Sequence, residues 1–242
     1  MRPEFLKTGI HACSLAEGGD PFALLETVLR YLNARSDQPR GAAAIHIEVT
    51  TIRERPTGES LWNLSTEIGL PRHYLGTNTV YARAVGLTPM CVSGTNLCVD
   101  ILNLRNELDY EAPWASSAVE VLVVGREQPE GFFRLLGEMT RDLSLDLTFA
   151  GAAAGFTAAL LRAAEKEESA LHPADFLWPI TILPRATSAI MAPVARYARF
   201  GDYLALQVED DLFAGHPEVY KRVASEIGLR TLYPDDGLVT AQ

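Results

Sequence analysis

His46 and Glu48 are the residues of this chain whose types and spacing come closest to a catalytic pair. They lie two positions apart in GAAAIHIEVTTI, residues 41–52, a segment that alternates as a β-strand. Because successive strand side chains point to opposite faces, the two would share one face of a sheet. There they could bind a metal ion jointly, or Glu48 could orient the imidazole of His46 for general-base catalysis.

The competing interpretation is that this pair lies on the solvated face of an antiparallel sheet. Ile45, Ile47 and Val49 form a clean apolar face on the other side of the predicted strand, which favours that interpretation. A metal site would also need one or two more ligands, and no spacing brings them together. Those ligands would come from His73, Cys91, Asp100 or His172. We therefore predict no metal site and no cofactor, and catalysis by His46 and Glu48 stays open.

A second group of candidate residues lies in a predicted loop, GLPRHYLGTN. Arg72, His73 and Tyr74 could together bind an anionic ligand or an acidic side chain of a partner, although an ordinary turn is the simpler explanation. Trp114, in EAPWASS, is predicted to be exposed and to mark a protein interface. The catalytic candidates are therefore His46, Glu48 and His73, and the binding candidates are Arg72, Tyr74 and Trp114.

Composition and charge narrow the class of partner. The chain has 242 residues, of which 48% are hydrophobic and 21% charged, as in ordinary globular proteins. Its 21 basic and 31 acidic residues leave a net charge of −10, which repels phosphate backbones and anionic lipid. We therefore predict no nucleic-acid partner and no membrane partner, and expect a basic protein partner. The sequence does not predict the oligomeric state.

Familiar catalytic motifs are missing from the sequence. It contains no GxSxG, GxxxxGKS/T, GxGxxG or HExxH, so it predicts neither a nucleophile elbow nor a standard phosphate-binding loop nor a zincin site. Its three cysteines include no CxxC pair and do not suggest a disulfide framework. The N-terminal segment lacks the apolar core of a signal peptide. We expect a soluble protein of the bacterial cytoplasm.

Hydrophobic periodicity predicts a mixture of helices and strands. Residues 21–36 carry an apolar stripe at helical spacing, with Pro21 at the first helical position. The strand at 118–125 precedes an amphipathic helix, and Pro179 inside the strand at 175–183 predicts an edge position or a bulge. Further helices are predicted at 155–170, at 186–200 with an interruption at Pro193, and at 215–228; further strands are predicted at 61–66, 79–85, 96–104 and 202–208.

These elements predict an α+β fold, a mixed, mostly antiparallel sheet packed with amphipathic helices. No repeat and no compositional shift marks a linker, so residues 1–242 are predicted to form a single globular domain. A subdivision near 113–117 is the alternative.

Three segments together resemble the Suppressor-of-fused-like domain of bacterial proteins. AIHIEVTTIRERPTGESLWNLSTEIGL (44–70) is similar to its paired strands, with an acidic residue in the first. AVEVLVVGREQPEGFFRLLGEMTRDL (118–143) is similar to the strand before its main helix, and DFLWPITILP (175–184) to its late, proline-containing strand. The resemblance implies a non-catalytic α+β interaction module, often linked in bacteria to toxin–immunity systems. It assigns no catalytic residue.

The leading hypothesis is therefore a non-catalytic protein-binding module, an immunity or accessory factor for a basic partner such as a nuclease-like toxin. The alternative is a small-molecule enzyme in which His46, Glu48 and His73 form a polar or metal-binding site. The enzyme hypothesis requires these three side chains to converge in one concave pocket, whereas the binding module does not.

Overall fold

A computed structural model of the chain describes residues 9–16, 21–35, 44–51, 58–63, 79–86, 90–92, 95–101, 118–123, 128–152, 172–184, 194–212 and 215–231. The helices are α1 (Pro21–Asn33), α2 (Phe132–Asp142) and α3 (Pro217–Ile227). The strands are β1 (Ile10–Leu15), β2 (Ala44–Thr51), β3 (Gly58–Asn63), β4 (Thr79–Gly86), β5 (Met90–Val92), β6 (Thr95–Ile101), β7 (Ala118–Val123), β8 (Leu147–Ala152), β9 (Phe176–Leu177), β10 (Ile180–Pro184), β11 (Arg196–Phe200), β12 (Tyr203–Gln207) and β13 (Arg230–Thr231).

Eleven of the described strands form one antiparallel sheet. Its order is β11-β12-β10-β8-β1-β7-β6-β4-β2-β3, with β5 paired to β6 beside this path, while β13 and β9 form a separate parallel pair. The predicted α+β fold, a mostly antiparallel sheet packed with amphipathic helices, is confirmed. The pairing of β6 with β7 joins the strands on either side of residues 102–117. A single domain, or its subdivision near 113–117, stays a prediction.

Helices pack on both faces of the sheet, and alternation along β12 separates the two cores. Ala205 belongs to the larger core, which α1 and α2 cover, whereas Leu204 and Leu206 belong to a smaller core covered by α3. Among the described helices, none is long and apolar enough to cross a membrane. The larger core also contains sheet residues Ile10, Ala12, Val119, Val121, Val123, Ala150, Ile180 and Ile182.

The termini of α3 and the apolar stripe of α1 agree with the sequence prediction. α3 begins at Pro217 and ends before Gly228, whose φ of 66° is a left-handed conformation that side chains rarely adopt. In α1, the buried stripe consists of Leu25, Val28, Leu29 and Leu32. Local signals were sufficient here because caps and helical spacing both lie within a few residues of the element.

β7, α2 and β8 form a split βαβ unit. β7 and β8 run parallel to each other because each pairs antiparallel with β1, which lies between them. The predicted apolar side of α2 is confirmed, since Phe133, Leu136 and Met139 are buried in the larger core. The sequence predicted the strand and its helix, but the strand inserted between β7 and β8 comes from much earlier in the chain.

Residues 196–200 form a strand where the sequence predicts a helix, so that prediction is wrong for this segment. β11 pairs with β12 through the two-residue turn Gly201–Asp202, and Gly201 adopts a φ of 60°. A Gly-Asp turn of this kind joins antiparallel strands and outweighs weak helical spacing. The helix predicted at 155–170 lies outside the described residues.

The strand predicted at 175–183 is split into β9 and β10 by Trp178 and Pro179. The hydroxyl of Thr181 holds this interruption, because it accepts a hydrogen bond from the Trp178 N–H (2.9 Å) and donates one to the Trp178 carbonyl (3.1 Å). β10 pairs with β8 on one side and with β12 on the other. The proline therefore lies in a break next to a central strand. Of the two predicted alternatives, the edge position is wrong, and the strand is irregular at the proline, as the alternative of a bulge requires.

Candidate functional site

His46 and Glu48 lie in the strand that the sequence predicts for them. Their strand, β2, pairs antiparallel with β3 on one side and with β4 on the other. At His46 the opposing residues are Leu61 and Val85. The strand prediction is confirmed, whereas a catalytic role for the pair stays a prediction.

Charged residues from five neighbouring strands occupy one cross-strand row, which we call the acidic row. It runs from Glu59 of β3 through Glu48 of β2, Arg83 of β4 and Asp100 of β6 to Glu120 of β7. Directly opposite residues of antiparallel strands share a face, with Cβ atoms about 4.5–5.5 Å apart. The pairing therefore brings four carboxylate residues and one arginine onto a single face of the sheet.

Two neighbouring pairs in the acidic row carry like charges. Glu48 is opposite Glu59, and Asp100 is opposite Glu120, while Arg83 stands between Glu48 and Asp100. Opposed like charges are destabilising, and a cross-strand pair contributes about 0.2–1 kcal/mol. The register thus places four acidic residues and one arginine in the row, which is a formal charge of −3.

The same row becomes apolar beyond Glu120. Cys13 of β1 is opposite Glu120 on one side and Phe149 of β8 on the other. Cys13 and Phe149 are fully buried, and Trp178 stacks on Phe149 with ring centroids 4.4 Å apart. One face of the sheet thus carries charged residues on five strands and a buried apolar surface on the next two.

The remaining candidates from the sequence are not placed by the structure. Arg72, His73, Tyr74 and Trp114 lie outside the described residues. The convergence of His46, Glu48 and His73 in one pocket, which the enzyme hypothesis requires, therefore stays a prediction. So do the binding roles of Arg72, Tyr74 and Trp114.

His172, a candidate metal ligand in the sequence, caps a short 3-10 turn, Pro173–Asp175. Its Nδ1 accepts a hydrogen bond from the Ala174 N–H (3.2 Å), and its own backbone N–H donates to the Asp175 carboxylate (3.2 Å). That ring nitrogen thus has a structural role. Within the described ranges, no three His, Cys, Asp or Glu side chains form a group that could hold a metal ion.

A second charged cluster joins the C-terminal ends of α1 and α2. The Tyr31 hydroxyl and the Arg35 guanidinium both donate to Oδ2 of Asp142 at 3.1 Å, and Arg141 donates to Oδ1 at 2.8 Å. The hydrogen bond from Arg141 lowers the pKa of Asp142, and burial raises the pKa of Tyr31. Because the carboxylate is satisfied within the chain, we assign this cluster a structural role.

Replacing Asp142 should reveal that role through its pH dependence. We expect Asp142→Asn to lower the free energy of unfolding at pH 7 by about 1 kcal/mol or less, because its ion pairs are partly exposed. Since the folded pKa of Asp142 is depressed, its contribution is present above about pH 4 and is lost as the pH falls through the folded pKa. Urea unfolding at pH 7 and at pH 3 measures this, and an equal difference at both pH values would contradict it.

Sequence reasoning missed most of the acidic row. From the sequence, Asp100 is a candidate only as a metal ligand, and nothing groups it with Glu59, Arg83 and Glu120. The alternation in AVEVLVV does isolate Glu120 as the polar position of an apolar strand. Which charged positions become neighbours depends on the pairing register between distant strands, which no single segment specifies.

Comparison with known proteins adds little to this description. No family model matches the chain, and no curated protein matches it. Among solved structures, a Pseudomonas aeruginosa T6SS protein, PA0821, is similar to it with a TM-score of 0.45 and 13% sequence identity, over 92% of this chain and 76% of that one. At this TM-score the likeness establishes neither the fold nor the function of the chain, and the resemblance to Suppressor-of-fused-like domains stays a prediction.

Proposed function

We propose that this chain is a non-catalytic protein-binding module that serves as an immunity or accessory factor for a basic partner protein. The acidic row is the proposed docking surface. The observation that carries the proposal is the pair of like-charge register positions in the row, Glu48 with Glu59 and Asp100 with Glu120.

Opposed carboxylates lower the stability of a sheet when the protein is alone. Local conflicts of this kind are expected at functional sites, where a ligand compensates for them. Lysine or arginine side chains of a partner, placed over the row, would replace repulsion between carboxylates with attraction to them. Part of the binding free energy would then come from pairing these acidic positions with cationic groups.

The charge of the whole chain supports the same class of partner. A net charge of −10 attracts basic proteins over a distance and makes their association rate sensitive to salt. Arg83 gives the row some specificity, because it lies between Glu48 and Asp100 and would repel a uniformly basic surface. A partner with basic residues on both sides of one acidic residue would match this order of charges.

Calorimetry with basic proteins encoded next to this chain tests the proposal at low and at high salt. The test variant combines Glu48→Gln with Glu59→Gln. The control combines Glu130→Gln with Glu218→Gln, two exposed positions that change the net charge equally. We expect the row variant to weaken binding about tenfold and the control to change it much less. The row variant should also unfold at a higher urea concentration, because it removes a like-charge pair.

If both variants weakened binding equally, the affinity would depend only on the net charge of the chain, and docking on the row would be contradicted. Salt-insensitive binding, or no binding to any basic neighbour, would contradict the proposal as a whole. Metal analysis separates it from the enzyme hypothesis. A stoichiometric transition metal that is lost in His46→Ala would favour a His46-centred enzyme site instead.

A further inference from the structure

Within the residues that the structure describes, β11 is an edge strand of the sheet, at the end opposite β3. Among the described strands it pairs only with β12, through the register from Arg196 with Gln207 to Phe200 with Tyr203. An edge strand presents backbone N–H and C=O groups along its outer side at alternate positions. Such a row of groups can pair with an extended segment of another chain.

The exposed side chains of β11 are basic and aromatic, in contrast to the acidic chain around them. Arg196 and Arg199 are exposed, and the strand contains no acidic residue. Tyr197, at 43% exposure, is the one large hydrophobic residue that is exposed in the described part of the chain. The exposed side chains of β11 therefore carry positive charge, whereas the chain as a whole has a net charge of −10.

The backbone of β11 is fixed before any partner arrives. At its C-terminal end, the tight turn at Gly201 joins it to β12. Beneath it, the ring of Phe200 packs edge-to-face on Phe133 of α2 at 6.5 Å between centroids, and Ala198 packs against the larger core. A strand held in this way loses little conformational freedom when a second strand pairs with it.

We propose that β11 is a second binding surface, which takes an acidic, extended segment of a partner protein as an added strand of the sheet. Arg196 lies on the face of β11 that Ala198 and Phe200 share, whereas Arg199 lies on the opposite face with Tyr197. A carboxylate on each face of the added segment would therefore lie beside one arginine, and an apolar side chain of the segment would lie beside Tyr197. This inference goes beyond the acidic row, because it concerns the opposite edge of the sheet and a ligand of opposite charge. A second copy of this chain fits less well, since self-pairing would place four arginines and no carboxylate along one shared edge.

Fluorescence polarisation with short labelled peptides tests this proposal on the full chain. The probe is a nine-residue peptide in which pairs of Glu alternate with pairs of Val, so that carboxylates lie on both faces of the extended peptide. It is compared with a peptide of Lys and Val in the same pattern and with the Glu–Val peptide methylated at every backbone nitrogen. We expect only the unmodified Glu–Val peptide to bind. The methylated peptide keeps the charge but cannot donate the backbone hydrogen bonds of an added strand.

Charge reversal then locates the site. We expect Arg196→Glu with Arg199→Glu to weaken Glu–Val binding about tenfold and to create binding of the Lys–Val peptide. Arg134→Glu with Arg222→Glu, at exposed helix positions, makes the same change in net charge and should have little effect. Charged residues on an edge can also simply prevent aggregation, so a failure of the Glu–Val peptide to bind overturns the proposal. Binding of the methylated peptide, or a dimer that dissociates on Arg196→Glu, overturns it equally.

Discussion

Replacement of Trp178 by alanine is expected to lower the free energy of unfolding by about 3–5 kcal/mol, as large-to-small substitutions of buried aromatic residues do. Trp178 is fully buried, and its ring stacks on Phe149 at 4.4 Å between centroids with an interplanar angle of 37°. Its indole N–H donates to the Pro173 carbonyl at 2.9 Å. Alanine would leave a cavity and would remove both interactions. Urea unfolding followed by circular dichroism measures the effect.

Trp178→Phe separates the two contributions. Phenylalanine keeps an aromatic ring against Phe149 but removes the indole donor, so the Pro173 carbonyl loses a buried hydrogen bond. We expect a loss of about 1–3 kcal/mol from this change, clearly smaller than for alanine. If Trp178→Ala lowered the free energy of unfolding by less than Trp178→Phe does, the packing of the Trp178 ring on Phe149 would not stabilise the protein, and the prediction would be contradicted.

The parts of this fold that sequence predicts well are those fixed by local signals. α3 carries its own boundaries, Pro217 at the start and the left-handed Gly228 at the end. β2 carries its own alternation, in which Ile45, Ile47 and Val49 recur at every second position. In each case the residues that decide the structure lie within the element itself, so a single sequence contains the information.

β11 shows where local signals mislead. None of its five residues is fully buried, so its side chains lack the apolar alternation that identifies a strand with one buried face. Arg196 and Arg199 instead suit the polar side of a helix. The signal that would have corrected this is the turn that follows, because Gly201–Asp202 lies between two aromatic residues and is typical of a two-residue hairpin.

The acidic row could be predicted only in part, for a different reason. Alternation assigns Glu48 and Glu120 to the polar positions of their strands, and Glu48 is one of the candidate residues that the sequence predicts. Their presence in the same row depends on β4 and β6 lying between them and on the register of four strand pairs. A shift of one residue in any pair would exchange faces and disperse the row, so the site is a property of the assembled sheet.

The two proposed surfaces divide the sheet by charge. The acidic row extends from the β3 edge as far as β7, whereas the basic and aromatic edge is β11. The buried apolar strands between them separate the two surfaces. A partner that used both would have to carry a basic surface and an acidic extended segment, which together match the charges presented here. Binding at each surface can be tested separately, because the neutralising variants of the acidic row and the charge-reversal variants of β11 lie on different strands.

Gly137 provides the last prediction, because it is, with Phe133, one of the residues of α2 that lie against Phe200 of β11. A Cβ atom at this position would overlap three ring atoms of Phe200, so that one of the two side chains must move. We expect Gly137→Val to lower the free energy of unfolding by about 2–3 kcal/mol, as overpacking does. Helix propensity has the opposite effect, because glycine stabilises a helix interior less than other residues do, by up to about 1 kcal/mol. The steric conflict with Phe200 therefore has to exceed the helix stabilisation that valine provides.

A double-mutant cycle with Phe200→Ala identifies the origin of the cost. Phe200→Ala removes the ring that a side chain at position 137 would meet, so Gly137→Val in that background should cost less than about 1 kcal/mol. Urea unfolding of the four proteins gives the coupling directly. An equal cost in both backgrounds would mean that valine strains the helix itself. A large coupling would show that the ring of Phe200 rests on the bare backbone of Gly137, and that this contact holds the edge strand in the position where the proposed partner segment would pair with it.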